Sequence, residues 1–154
     1  MANEVLKESL DLACIRLELN ASGRDAAIAE LIGLIHAKHH LRNLEEATNA
    51  VMERERKMST SLESGIAVPH AKVTSVDKLL VAVGLKKKGI DFKSVDGQRS
   101  NIIILILSSA AQTGPHVRCL AEIGRLLQSE ANRKKILAAK DVETVFKIMT
   151  GTEI

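Results

Sequence analysis

The stretch Gly65-Ile66-Ala67-Val68-Pro69-His70-Ala71 is a short apolar run that ends abruptly in proline and histidine. An apolar run bounded by turn-forming residues predicts a buried strand. Proline has no N–H to donate to a neighbouring strand, so we expect strand pairing to stop at Pro69. His70 would then lie on rigid backbone at the rim of a sheet, where a neutral imidazole can act as a nucleophile or carry a proton. A histidine that merely ends a strand is the alternative.

Strand and helix patterns alternate along the rest of the chain. The strongest candidate for a central strand is Ser100–Ser108, which is apolar on both faces. Ser22 and Asn43 are predicted to cap the helices that follow them, and residues 58–64 are predicted to form a polar loop. The order of elements implies one layered α/β or α+β domain over residues 1–154, with helices covering a sheet. The other predicted strands are 14–19, 66–69 and 79–85, and the predicted helices are 22–38, 43–57, 115–128, 132–138 and 142–149.

The composition is that of an ordinary globular domain, with 45% hydrophobic and 27% charged residues in 154. A net charge of +3 and an aromatic content of 1% both argue against nucleic-acid binding, which uses basic patches and stacking platforms. The longest apolar run, Ile102–Leu107, is far too short to cross a membrane. No secretory pattern opens the chain, and Cys14 and Cys119 are too few for a disulfide scaffold. We therefore expect a cytoplasmic protein without membrane insertion.

The segment Glu55–Ala71 resembles the phosphorylation-site signature of the fructose/mannitol-type IIA domains of the bacterial phosphoenolpyruvate-dependent phosphotransferase system. The acidic residue of the signature falls on Glu55, its isolated aliphatic residue on Leu62, and its aliphatic-Ala-aliphatic-Pro-His-small core on Ile66–Ala71. Glu63 departs from the signature, which has a small residue there. Because a carboxylate repels a phosphorylated histidine, either Glu63 points away or the loop differs.

Later parts of the chain fit the same family. Asp96-Gly97-Gln98, the apolar run at 102–107 and His116 are further landmarks, so the resemblance extends roughly from Leu10 to Met149. Within the family, the chain looks most like the free-standing nitrogen-regulatory proteins. The resemblance implies a mixed β-sheet flanked by helices on both sides.

The resemblance also implies three site residues. His70 is the implied phosphorylated nucleophile, and His116 is the implied partner that stabilises the phosphoryl group or orients His70. His116 follows an apparent helix start, whose free N–H groups favour phosphate and whose dipole favours a neutral imidazole. Arg54 is the implied phosphate contact, with Arg56 as the fallback and a solvated helix end as the alternative. No cofactor and no metal are implied.

The implied function is that of a phosphocarrier. His70 would accept a phosphoryl group from phospho-HPr, or from the nitrogen-branch relative of HPr, and pass it to a IIB subunit or hold it as a regulatory signal. One alternative is a regulatory module whose docking to a kinase or ion transporter is switched by phosphorylation of His70. Another is a degenerate member of the family that is never phosphorylated, for which Glu63 is the argument.

Two other constellations compete with this interpretation. His36, His39 and His40 have the spacing of helical metal ligands, but no fourth ligand accompanies them and basic residues are common at helix ends. Cys119 lies one turn after His116 and could form a nucleophilic pair with it, although we expect the thiol to pack inward. A metal site and a cysteine nucleophile are therefore the less favoured hypotheses.

Overall fold

The structure is a computed structural model that describes residues 2–152. Helices and strands alternate along the chain, as the sequence pattern predicts. The helices are α1 (Glu4–Ser9), α2 (Arg24–His39), α3 (Leu44–Lys57), α4 (Thr113–Leu127), α5 (Glu130–Ala138) and α6 (Val142–Thr150), with a 3-10 turn at Ala110–Gln112. The strands are β1 (Leu10–Arg16), β2 (Ser61–Leu62), β3 (Ile66–Ala67), β4 (His70–Lys72), β5 (Leu80–Ile90) and β6 (Ser100–Ser108).

The strands form one mixed sheet in the order β1-β5-β6-β3-β2, and β4 continues beside β6 after β3. β1 pairs with β5 in parallel, and β5 pairs with β6 in antiparallel orientation. Both β3 and β4 are parallel to β6, whereas β2 is antiparallel to β3. The predicted central strand, Ser100–Ser108, is therefore confirmed: it lies between β5 on one side and β3 and β4 on the other.

Alternate side chains of β6 enter two separate hydrophobic cores. Ile103, Leu105 and Leu107 pack with residues of α2 and α3 on one face of the sheet. Ile102, Ile104 and Ile106 pack with residues of α1, α4, α5 and α6 on the other face. Helices thus flank the sheet on both sides, which confirms the expected fold class.

Pro69 interrupts strand pairing but does not end it, so that prediction was wrong. Proline lacks a donor, but its carbonyl still accepts, and Ile106 N–H donates to Pro69 O at 3.0 Å. Pairing resumes at His70, which lies opposite Ile106 in β4. His70 is therefore held within a sheet strand rather than placed beyond the end of one.

Other boundaries also differ from the prediction. Helix α2 begins after Gly23 rather than Ser22, and Gly23 has no side chain to cap it. Asn43 caps α3 as predicted, by accepting a hydrogen bond from Glu46 N at 3.0 Å. The predicted loop at 58–64 contains β2, and β5 runs on through three lysines to Ile90. Within residues 2–152, no helix is long and apolar enough to span a membrane.

Candidate functional site

His70 lies on the floor of an open cleft of about 450 Å³ between α3, β4 and the first turns of α4. Its Nδ1 is 2.7 Å from the carbonyl oxygen of Val68. A carbonyl only accepts hydrogen bonds, so Nδ1 carries the proton in this contact. In the neutral ring, Nε2 then keeps its lone pair.

His116 lies beside His70 in the same cleft. The ring centroids are 5.2 Å apart, and the rings meet edge to face at 64°. The His116 side chain is buried, and its Nδ1 is 2.8 Å from Ser108 Oγ at the end of β6. Burial, reinforced by the neighbouring His70 and Lys72, lowers the pKa of His116. His116 is therefore held neutral at pH values where an exposed histidine begins to take up a proton.

The predicted helix start at Thr113–His116 is confirmed. Helix α4 begins at Thr113, and the 3-10 turn at Ala110–Gln112 precedes it. His116 is thus the fourth residue of α4. The pKa of His116 is lowered by burial and neighbouring charge, so the helix dipole is not needed to keep the ring neutral.

Three cationic side chains line the cleft, together with the carboxylate of Glu53, which is 3.8 Å from Lys57 Nζ. Arg54 comes from the last turn of α3, where its Nη1 donates to Met58 O at 2.8 Å. Lys57 lies one turn further along α3. Lys72 lies two residues after His70, on the same face of β4, and its Nζ donates to Thr113 Oγ1 at 3.0 Å. The fallback residue, Arg56, is exposed and does not line the cleft.

Glu55 supports the cleft from within the protein and does not face it. Its carboxylate is buried and accepts hydrogen bonds from Thr60 N at 2.9 Å and Thr60 Oγ1 at 2.5 Å. Thr60 O accepts in turn from Val68 N at 3.2 Å, and Val68 O is the acceptor for His70. The acidic position of the signature thus anchors the backbone that sets the orientation of the imidazole.

Glu63 lies away from the cleft. It is exposed in the turn between β2 and β3. Ile66 is opposite Ile102 and His70 is opposite Ile106, so the turn and the imidazole are separated along β6 by about 13 Å at 3.3 Å per residue. Of the two alternatives left open by the sequence, the structure favours a carboxylate that points away.

The competing constellations do not converge on a site. Cys119 is a residue of α4 and is fully buried in the core, and burial together with Glu122 raises the pKa of its thiol to about 12. The rings of His36 and His40 are 6.4 Å apart and meet edge to face. Across residues 2–152, no cluster of three histidine, cysteine or carboxylate side chains has the geometry of a metal site.

Sequence reasoning missed Lys57 and Lys72, which line the cleft, and Ser108, the buried partner of His116. A usable signal existed for Lys72, because residues two apart on a strand share a face. The wrong expectation that pairing stops at Pro69 concealed it. Ser108 ends the predicted central strand, but its contact with His116 depends on how α4 packs and leaves no local signal.

The sequence comparisons agree with this geometry. Residues 8–151 match the family described as "Phosphoenolpyruvate-dependent sugar phosphotransferase system, EIIA 2". A fructose-specific EIIA component of the phosphotransferase system from Haloferax volcanii is 32% identical over 138 residues, which cover 90% of each chain. The nitrogen regulatory protein of Escherichia coli K12 is 28% identical over 151 residues, covering 96% of this chain and 91% of that protein. The chain spans only 23% of the fructose-specific EIIABC component of Bacillus subtilis, with 28% identity over 144 residues.

Solved structures show the same fold. The nitrogen regulatory protein IIA-Ntr of Neisseria meningitidis superposes with a TM-score of 0.88 at 23% identity, covering 95% of this chain and 99% of that one. The IIA mannitol protein of Escherichia coli superposes with a TM-score of 0.79 at 21% identity, covering 92% of this chain and 99% of that one. The chain therefore belongs to the EIIA 2 family of the phosphoenolpyruvate-dependent sugar phosphotransferase system.

Proposed function

We propose that this phosphotransferase-system phosphocarrier works through Nε2 of His70. The nitrogen accepts a phosphoryl group from a phosphohistidine donor and later releases it to an acceptor. The observation that carries the proposal is the 2.7 Å contact between His70 Nδ1 and Val68 O. This contact leaves Nε2 as the nucleophilic nitrogen, in a cleft lined by three cations and one carboxylate, that of Glu53.

In the proposed transfer step, the His70 imidazole keeps its proton. The Nε2 lone pair attacks phosphorus, the P–N bond of the donor breaks, and its electron pair returns to the donor imidazole. The His70 ring then carries a positive charge, with the proton still on Nδ1. The Val68 carbonyl stabilises that charge, because a hydrogen bond from a charged donor is stronger than one from a neutral donor.

The cations of the cleft stabilise the transferring group. Arg54, Lys57 and Lys72 come from two elements that meet around His70, so they can contact the phosphoryl oxygens from different sides. Moving Lys72 from Thr113 Oγ1 to a phosphoryl oxygen exchanges a neutral acceptor for a charged one. This exchange favours the phosphorylated state.

His116 completes the proposed site as a neutral donor. If Ser108 O–H donates to Nδ1 of His116, the ring proton lies on Nε2, the nitrogen that remains for the cleft. A neutral ring donates a hydrogen bond to the phosphoryl group without adding a further positive charge to the site. The lowered pKa of His116 supports this role.

The proposed donor is HPr or its nitrogen-type relative, and the proposed acceptor is a IIB subunit or a regulatory target. The match to a fructose-specific EIIA component supports a IIB acceptor. The match to nitrogen regulatory proteins supports use of the phosphorylated state as a signal. These partners act in the cytoplasm, and the free, buried Cys14 and Cys119 fit that reducing compartment.

The test is intact-mass spectrometry after incubation with phosphoenolpyruvate, enzyme I and either type of HPr. The wild-type chain should gain one acid-labile phosphoryl group, and His70→Ala should gain none. His40→Asn is the matched control, because His40 is exposed and asparagine tolerates its left-handed backbone at φ 55°. NMR of the labelled product should show phosphorus on Nε2. Modification of His70→Ala, or of Nδ1 in the wild type, would overturn the assignment.

A further inference from the structure

A second hollow, larger than the His70 cleft, lies between the end of α4, α5 and α6. Its volume is about 770 Å³, which falls in the range of small-molecule binding sites. Leu126, near the end of α4, lines the hollow, whereas His116 is ten residues earlier on the same helix. At 1.5 Å per residue, the two sites are about 15 Å apart along α4. The hollow is therefore distinct from the phosphoryl-transfer cleft.

The lining of the hollow combines an aliphatic floor with a cationic rim. Leu126, Ala138, Ala139 and Ile148 supply apolar surface. Lys135, Lys140 and Lys147 also line the hollow, and none of the three forms an ion pair with a carboxylate of residues 2–152. The neighbouring Lys134, in contrast, pairs with Glu130 at 3.1 Å.

The polar groups around the hollow are already engaged within the protein. Asn132 Nδ2 donates to Leu126 O at 2.9 Å, and Thr144 donates to Asp141 Oδ1 from both its N–H and its hydroxyl. Asp141 is the single carboxylate of the lining, so three lysines and one aspartate leave a local charge of +2. The ammonium groups are the donors that remain for a ligand.

We propose that this hollow binds a small amphiphilic organic anion, with a carboxylate or phosphate head and an aliphatic body. The lysines select the negative head, and the floor selects the body by burial of apolar surface. An aliphatic body is favoured over a nucleobase because the described lining contains no aromatic side chain on which a base could stack. The proposed ligand is a free monomer, because the aliphatic surface and the lysines are gathered around a single hollow of about 770 Å³.

Decanoate, below its micelle concentration, is the first probe, measured by calorimetry and by amide chemical-shift changes. We expect saturable binding, with shifts confined to α5, α6 and the end of α4. Hexanoate should bind at least tenfold more weakly, because each buried CH₂ contributes a factor of about four. Decanol and inorganic phosphate, which each lack one half of the proposed ligand, should also bind more weakly.

The paired variant Lys135→Gln/Lys147→Gln should weaken decanoate binding about tenfold, as the loss of two exposed charge contacts predicts. Lys134→Gln is the matched control and should leave the affinity unchanged. His70→Ala should bind like the wild type, so the outcome is independent of the proposed phosphorylation. Circular dichroism of each variant checks that it is folded.

Three results would overturn the proposal. They are no saturable binding of decanoate, equal affinities for decanoate and hexanoate, and equal effects of the paired variant and Lys134→Gln. Co-sedimentation with phosphatidylglycerol vesicles separates a free anion from a lipid surface. Lysine-dependent vesicle binding without monomer binding would also contradict it.

Discussion

Replacement of Glu55 with alanine tests how the buried carboxylate supports the proposed nucleophile. The side chain is 2% exposed, and it accepts both the N–H and the hydroxyl of Thr60. A hydrogen bond to a charged acceptor contributes about 1.5 to 3 kcal/mol, and alanine leaves two buried donors without a partner. The release of a buried charge offsets part of this loss. We therefore expect a loss of about 3 kcal/mol in the free energy of unfolding.

The assay is urea unfolding followed by circular dichroism of the helices, since the chain has no tryptophan or tyrosine to report by fluorescence. A loss of this size should lower the melting temperature by about 6 to 12 °C for a chain of this length. Glu53→Ala is the matched control. Glu53 is on the same helix, but its ion pair with Lys57 is largely exposed, so the variant should stay within about 0.5 kcal/mol of the wild type.

Loss of the Glu55 carboxylate should reach His70 through the backbone hydrogen bonds that connect them. Thr60 O accepts a hydrogen bond from Val68 N, and Val68 O accepts one from the imidazole of His70. Folded Glu55→Ala should therefore accept a phosphoryl group more slowly than the wild type, and Glu55→Gln, which keeps one acceptor, should be intermediate. The reasoning is refuted if Glu55→Ala is as stable as Glu53→Ala, or if it is destabilised but accepts phosphoryl groups at the wild-type rate.

Three further predictions concern separate parts of the molecule. Arg54→Gln should slow phosphorylation about 100-fold in a rapid-quench assay, whereas Arg56→Gln, outside the cleft, should not; equal rates would contradict the cleft assignment. Gly84→Ala should lower the free energy of unfolding in urea by about 1 to 3 kcal/mol, because the added Cβ would lie 2.6 Å from a buried leucine methyl. The control is Gly33→Ala, whose added Cβ meets nothing within 4 Å and should not destabilise the protein. Because the pKa of His116 is lowered in the folded protein, the unfolded state takes up the proton first, and the free energy of unfolding falls as the pH drops through 6.5. His116→Gln should therefore lose less stability than the wild type between pH 7.5 and 5.5. Equal losses would contradict this.

The fold was predictable where the hydrophobic pattern of a segment matches the way in which that segment packs in the structure. Ser100–Ser108 is apolar on both faces because its side chains enter both cores, so its bounds follow from the sequence. Helix α1 was not predicted. Its first N–H groups are satisfied by the carboxylate of Glu122 on α4, which accepts from Val5 at 3.1 Å and from Leu6 at 2.9 Å. A cap that is 116 residues away leaves no signal in the local sequence.

The candidate site was predictable as residues but not as an arrangement. His70 follows from the family signature, His116 and Arg54 follow from the wider family resemblance, and the structure brings all three to one cleft. The contact between Val68 O and Nδ1 could not be foreseen, because the sequence carries no information on ring orientation. Lys72 required the knowledge that the strand continues beyond Pro69.

The placement of His70 inside a hydrogen-bonded strand has a kinetic consequence. An imidazole fixed in β4 cannot swing from one partner to another, and it has one cleft through which either can reach it. If His70 carries the phosphoryl group as proposed, a donor protein and an acceptor protein must occupy the same face in turn, so they compete for it. The rate of phosphoryl transfer from donor to acceptor would then depend on how fast each partner dissociates after its step. An excess of unphosphorylated donor would slow the transfer as a competitive inhibitor.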